Sequence, residues 1–177
     1  LQSIRNEVFD WLKAIVVALL LAFIIRTFLF TSYEVSGESM MPTAKDGERF
    51  IVNKMEYDFM EPERFDMIVF HATEQEDYIK RVIGLPGDRI RYENDVLYIN
   101  DEPVDEPFLD ERKAAYEGLY TNDFNVDEPV PPGHVFVLGD NRPNSYDSRM
   151  IGFIELDQIV GKVNFRFWPI REAGAVR

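Results

Sequence analysis

The chain contains no cysteine. A disulfide framework, a thiolate nucleophile and a cysteine zinc ribbon are therefore excluded. That absence suits an exported domain, although it does not fix the compartment. Histidine is scarce: His71 and His134 stand in no His-x-x-x-His spacing, which argues against a dedicated zinc site. Basic residues are the minority, with 19 Lys and Arg against 32 Asp and Glu and a formal charge of −13. A phosphate-backbone binder needs a basic stripe, so nucleic acid is not an expected partner. The acids crowd between Asp101 and Glu128, which reads as a solvated acidic surface. There is no internal repeat. A hydrophobic share of 46% over 177 residues excludes a disordered tail and leaves room for one domain with a sizeable core.

One long apolar run is present. Residues 14–25 read AIVVALLLAFII, with apolar Trp11, Leu12, Phe28, Leu29 and Phe30 extending it. Lys13 and Arg26 lie near its ends, where long side chains reach headgroups. A helix over 11–30 would rise about 30 Å, the thickness of a bilayer core. The expectation is an uncleaved, single-pass transmembrane anchor at 11–30 after a short flank at 1–10, with the lipid bilayer as a partner. A secretory apolar region and a buried core helix are the alternatives. No small-residue cleavage site follows the run, and no polar stripe marks a core helix. Charge does not orient the span, because Arg5 and Lys13 precede it while Arg26, Lys45 and Arg49 follow.

Beyond residue 30 the pattern changes to short β-like runs at 49–53, 67–71, 78–83, 89–92, 96–100, 135–138 and 162–167. Glu93-Asn94-Asp95 reads as a hairpin turn and 155–159 as a short helical turn. No helix-length segments separate the strands, so an antiparallel β domain is expected. Residues 101–133 hold five prolines and many acids, which predicts an inserted loop or small lobe. The expected division is a catalytic β domain over 31–100 and 134–177, interrupted by that segment.

Four stretches carry chemistry. Gly37 and Pro42 bracket Ser39 in Val35-Ser36-Gly37-Glu38-Ser39-Met40-Met41-Pro42-Thr43, a setting for an exposed hydroxyl on a rigid turn or for an ordinary serine-rich turn. Strand alternation in Asp77-Tyr78-Ile79-Lys80-Arg81-Val82-Ile83 places Lys80 between Tyr78 and Val82. Burial there would lower the amine's pKa, as a lysine base requires; the alternative is a lysine reaching to water. Gly139-Asp140-Asn141-Arg142-Pro143-Asn144-Ser145-Tyr146-Asp147-Ser148-Arg149 is a dense polar loop, to be read as a supporting hydrogen-bond network or a calcium loop. The spacing is not that of an EF-hand, and Arg142 and Arg149 oppose a cation. Arg64-Phe65-Asp66 is a charged turn that launches the strand at 67.

In this order, after one N-terminal span, these stretches resemble the bacterial type I signal peptidases, from about Trp11 to Trp168. The resemblance implies a mostly antiparallel β structure with a catalytic core and a smaller β extension. It implies a serine endopeptidase that cleaves the signal peptides of exported preproteins after small residues at −1 and −3, on the extracytoplasmic face of the cell membrane. Ser39 would be the nucleophile and Lys80 the general base. Ser145 would hydrogen-bond and orient Lys80, and Asp147 and Arg149 would form a supporting ion pair. Val35, Met40, Tyr78 and Ile79 would line the substrate pockets. No metal and no organic cofactor is expected. Gly37 stands where some members carry a serine two residues before the nucleophile, which fits the short single-span subgroup. That leaves the Ser39 N–H as the first oxyanion donor, with Ser36 or the Gly37 amide as candidates for a second. Three rival readings are a self-cleaving repressor, a Ser–His hydrolase using His71 or His134, and a non-catalytic tethered β domain.

Overall fold

The computed structural model describes residues 2–24 and 29–176. In chain order its first elements are α1 (Gln2–Ile24), β1 (Phe30–Glu34), β2 (Arg49–Asn53), α2 (Glu56–Phe59), β3 (Met67–His71) and β4 (Asp77–Gly84). Then come β5 (Ile90–Glu93), β6 (Val96–Ile99), β7 (Glu102–Val104), α3 (Asp110–Ala115) and β8 (Phe124–Asn125). The chain closes with β9 (His134–Leu138), α4 (Ser148–Ile151), β10 (Ile154–Glu155), β11 (Ile159–Trp168) and β12 (Gly174–Ala175).

α1 starts earlier than the apolar run, because Gln2 to Asp10 also wind into it and the expected separate flank is part of the helix. Phe30 is not its end but the first residue of β1. Residues 25–28 of the expected span lie outside the described residues. Among the described residues, no helix is long and apolar enough to cross a membrane. The physical reason is charge. Glu7, Asp10 and Lys13 fall inside α1. They leave the uncharged stretch at 14–24, a rise of about 16 Å against the ~30 Å of a bilayer core.

The main sheet runs β1-β2-β11-β3-β4-β9-β10, with β12 paired to β11, and every pairing is antiparallel. Both faces of its centre are covered. On β3, Met67 and Val69 enter one cluster with Val35, Met40, Ala44, Phe50 and Val52. Ile68 and Phe70 enter another with Val82, Val135 and Val137. Each such side chain contributes roughly 1.5–3 kcal/mol of burial. The Ser39 turn is thus pinned from beneath, since Val35, Met40 and Ala44 belong to the core itself.

A second antiparallel sheet, β7-β6-β5-β8, forms the inserted lobe. It begins at Ile90 rather than at 101, because the β5–β6 hairpin pairs with β7 and β8 and not with the main sheet. A third cluster joins the sheets, with Ile90, Tyr92 and Leu97 packed against Ile83, Phe136 and Leu138. The acidic stretch is not solvated throughout. Glu106 is buried and takes the Tyr92 hydroxyl at 2.8 Å and Arg142 at 2.5 Å.

Candidate active site

Ser39 sits in a turn tied at several points. Val35 N–H donates to Glu48 O, and Ala44 N–H to Met40 O. Gly37 adopts φ +93, a conformation that favours glycine, and its N–H donates to Asp46 Oδ1 at 2.8 Å. That bond commits the Gly37 amide and removes it as an oxyanion donor. From the far side, Asn141 N–H donates to Ser39 O at 3.0 Å and Asn141 Nδ2 to Glu38 O at 3.0 Å.

Lys80, on β4, points its amine at this turn. Nζ lies 2.8 Å from Ser39 Oγ and 3.1 Å from Ile79 O. The Tyr78 ring centroid is 5.0 Å from Nζ. Only 4% of the residue is exposed. Burial pushes its pKa down to about 8, against the opposing pull of the Asp147 and Asp140 carboxylates.

The loop at 139–149 holds both groups in register. Arg81, beside Lys80 on β4, clamps Asp140 through two bonds of 2.8 and 2.6 Å, with both side chains fully buried. The Thr43 hydroxyl donates to the same carboxylate at 2.6 Å. One carboxylate therefore links β4, the loop and the serine turn. Gly139 has no room for a Cβ, because Ser39 O and the Ser145 side chain lie against it. Asp147 pairs with Arg149 at 2.8 Å and accepts from Gly139 N–H at 3.1 Å. Burial alone would raise the Asp147 carboxyl, but Arg149 and these hydrogen bonds bring it below its ordinary value.

The expected bond from Ser145 to Lys80 is not made. Ser145 Oγ is buried with no hydrogen-bond partner among the described residues, and the Lys80 amine bonds Ser39 Oγ and Ile79 O. The calcium-loop reading fails on chemistry, since guanidinium groups take the Asp140 and Asp147 carboxylates. Neither histidine meets Ser39: His71 Nδ1 is at Asp77 Oδ1 and His134 Nδ1 at Pro132 O.

A cleft of about 230 Å³ opens beside Ser39 and Lys80. Val35, Met40, Tyr78 and Ile79 all line it, joined by Tyr33 and Tyr146. Its two walls are strand edges. β1 ends the main sheet, and residues 77–79 of β4 pair with β3 only, because β9 joins β4 from Arg81 onward. Arg81, Thr43, Asp140 and Asn141 lay in the quoted stretches without an assigned role. The signal for them was the pairing of an arginine next to Lys80 with an acid directly after Gly139.

Comparisons with known proteins give the family. The family model described as "Signal peptidase, peptidase S26" matches residues 8–168. The chain belongs to that family. It is 51% identical over 174 residues to a signal peptidase I of Bacillus caldolyticus, covering 95% of this chain and 93% of that one. It is 47% identical over 178 residues to signal peptidase IB of Staphylococcus aureus (strain COL), with the same coverages of 95% and 93%. A crystal structure of a signal peptidase I from Enterococcus faecalis superposes with a TM-score of 0.55 at 38% identity, over 59% of this chain and 97% of that one. The enzyme is a serine endopeptidase of the signal peptidase family, and its substrates are the signal peptides of preproteins.

Proposed function

We propose that this peptidase cleaves preproteins with Ser39 as nucleophile and Lys80 as general base, at a membrane surface where α1 tethers it. The observation that carries this reading is the 2.8 Å approach of a buried Lys80 Nζ to Ser39 Oγ. As an ammonium the lysine donates to the hydroxyl; as an amine it accepts the hydroxyl proton. Burial favours the second state. Ser39 Oγ attacks the carbonyl carbon at the end of the signal peptide while Nζ takes the proton. The Ser39 N–H, which has no acceptor among the described residues, receives the oxyanion. Nζ then returns the proton to the leaving amine. Water, activated by the same lysine, hydrolyses the acyl-enzyme.

Asp147 and Arg149 support the loop that brackets both groups. The cleft walls of Val35, Met40, Tyr78 and Ile79 suit small apolar side chains at −1 and −3. The free strand edges suit an extended peptide that adds as a strand. A signal peptide emerges from the bilayer on the extracytoplasmic side, which is where the β domain would meet it.

The test is cleavage of a preprotein by the full chain and its variants. Ser39→Ala and Lys80→Arg are expected to lose at least a thousandfold in kcat, about 4 kcal/mol, while circular dichroism stays unchanged. Lys80→Arg is the sharper case, since a guanidinium does not give up its proton near neutral pH. Turnover within tenfold of wild type in that variant would eliminate Lys80 as the base.

A further inference from the structure

The two walls of the cleft are bonded to each other. The Tyr33 hydroxyl, from β1, donates to Asp77 Oδ2 at 2.6 Å across to the start of β4. The other Asp77 oxygen lies 2.6 Å from His71 Nδ1, on the neighbouring strand in direct register with Asp77. Both Tyr33 and Asp77 line the cleft. Tyr33 belongs to an edge strand held on one side only, by β2. Its hydroxyl is therefore a cross-brace between two strand edges that the main sheet does not otherwise join.

The position of this brace matters. Three residues of extended backbone separate Lys80 from Asp77, about 10 Å. A peptide lying along the same edge covers that distance with three residues. We propose that Tyr33, Asp77 and His71 form a latch that sets the length of the substrate groove. It leaves room for three residues on the amino side of the scissile bond and turns the chain out of the groove at the fourth. Specificity at the fourth position then depends on Tyr33: a small residue passes over the brace, and a bulky one collides with it. This rests on the reading that the acyl side of the substrate occupies this cleft.

The test uses the full chain in detergent with peptides that differ only at the fourth residue before the scissile bond, alanine against phenylalanine. Wild type is expected to favour alanine by about tenfold in kcat/KM. Tyr33→Phe keeps the ring and removes only the hydroxyl. Loss of one hydrogen bond of ordinary net strength should bring the preference down about fivefold, to near twofold. Asp77→Ala should do the same, and adding Tyr33→Phe to it should change nothing more. The −1 alanine-to-phenylalanine preference should stay as in wild type in all three variants. A Tyr33→Phe enzyme that keeps the full fourth-position preference overturns the latch, as does a wild type with no such preference. A wild type that cleaves none of the peptides instead overturns the assignment of the site. Should Asp77→Ala misfold, Tyr33→Phe alone decides.

Discussion

An amine held out of water in the folded chain and solvated in the unfolded one ties stability to pH. The pKa of Lys80 falls from 10.5 to about 8 on folding, mainly through burial. Below pH about 8 both states carry the proton, and the folded state bears the full penalty of a buried charge. Between about 8 and about 10.5 the unfolded chain still binds the proton and the folded chain has lost it. Stability therefore rises with pH through that window, by about 3 kcal/mol in all. Lys80→Met removes this contribution. The difference in unfolding free energy between the variant and wild type should favour the variant at pH 7 and close by roughly 3 kcal/mol by pH 10.5. Denaturant titrations at a series of pH values measure it, and parallel stability curves would contradict the buried amine. Cleavage should rise with pH through about 8 for the same reason, because only the neutral amine accepts the Ser39 proton.

At the scale of elements, the Arg81–Asp140 pair does what no ladder of backbone bonds does. It joins β4, the loop at 139–149 and, through Thr43, the serine turn. Removing one partner strands the other charge in the interior, at a cost of about 3–5 kcal/mol. Asp140→Ala and Arg81→Met should each lose that much in urea unfolding. The double variant Arg81→Met/Asp140→Ala should lose clearly less than the sum, since no unpaired charge remains. Additive losses would mean the pair is not a unit. Its place explains what was legible in the sequence and what was not. Short runs rich in Val, Ile and Phe, such as Arg49–Asn53 and Met67–His71, form strands with those same bounds. β1 was hidden because Phe30 continues an apolar run and reads as helix. The lobe boundary was misplaced because strand patterning is local, whereas sheet membership of Ile90–Ile99 is decided by pairing with β7 and β8. Ser39 and Lys80 stand out through their motifs. The Arg81–Asp140 bond and the Tyr33–Asp77 brace do not, because they link residues 59 and 44 positions apart.

For the whole molecule, the helix poses the physical problem. Ten large apolar side chains of α1, among them Trp11, Ile15, Leu19 and Phe23, are more than half exposed. None of the three buried clusters includes a residue of α1 whose burial is described. Under the proposed tethering, the uncharged stretch of α1 at 14–24 is the part that would meet lipid. The β domain offers its own apolar surface in Phe165 at 40%, Trp168 at 51% and Ile170 at 75% exposure. β11 is thus central in the sheet through Val163 and open to solvent through Phe165 and Trp168. Deleting residues 1–28 keeps β1 and every core cluster, so the β fold should persist. Confinement to one surface raises the effective concentration of enzyme and substrate. The truncated protein should therefore cleave vesicle-bound preprotein at least about tenfold more slowly, yet cleave a short soluble peptide within about twofold of the full chain. The chain has two tryptophans, Trp11 and Trp168, and the deletion removes the first. Fluorescence of the truncated protein then reports Trp168 alone. A blue shift on adding lipid vesicles is expected if the aromatic surface beside β11 enters the interface. Emission unmoved by lipid, together with a lost preprotein rate, would leave α1 as the only contact and reduce it to a tether. Equal rates on both substrates would remove the tether as well.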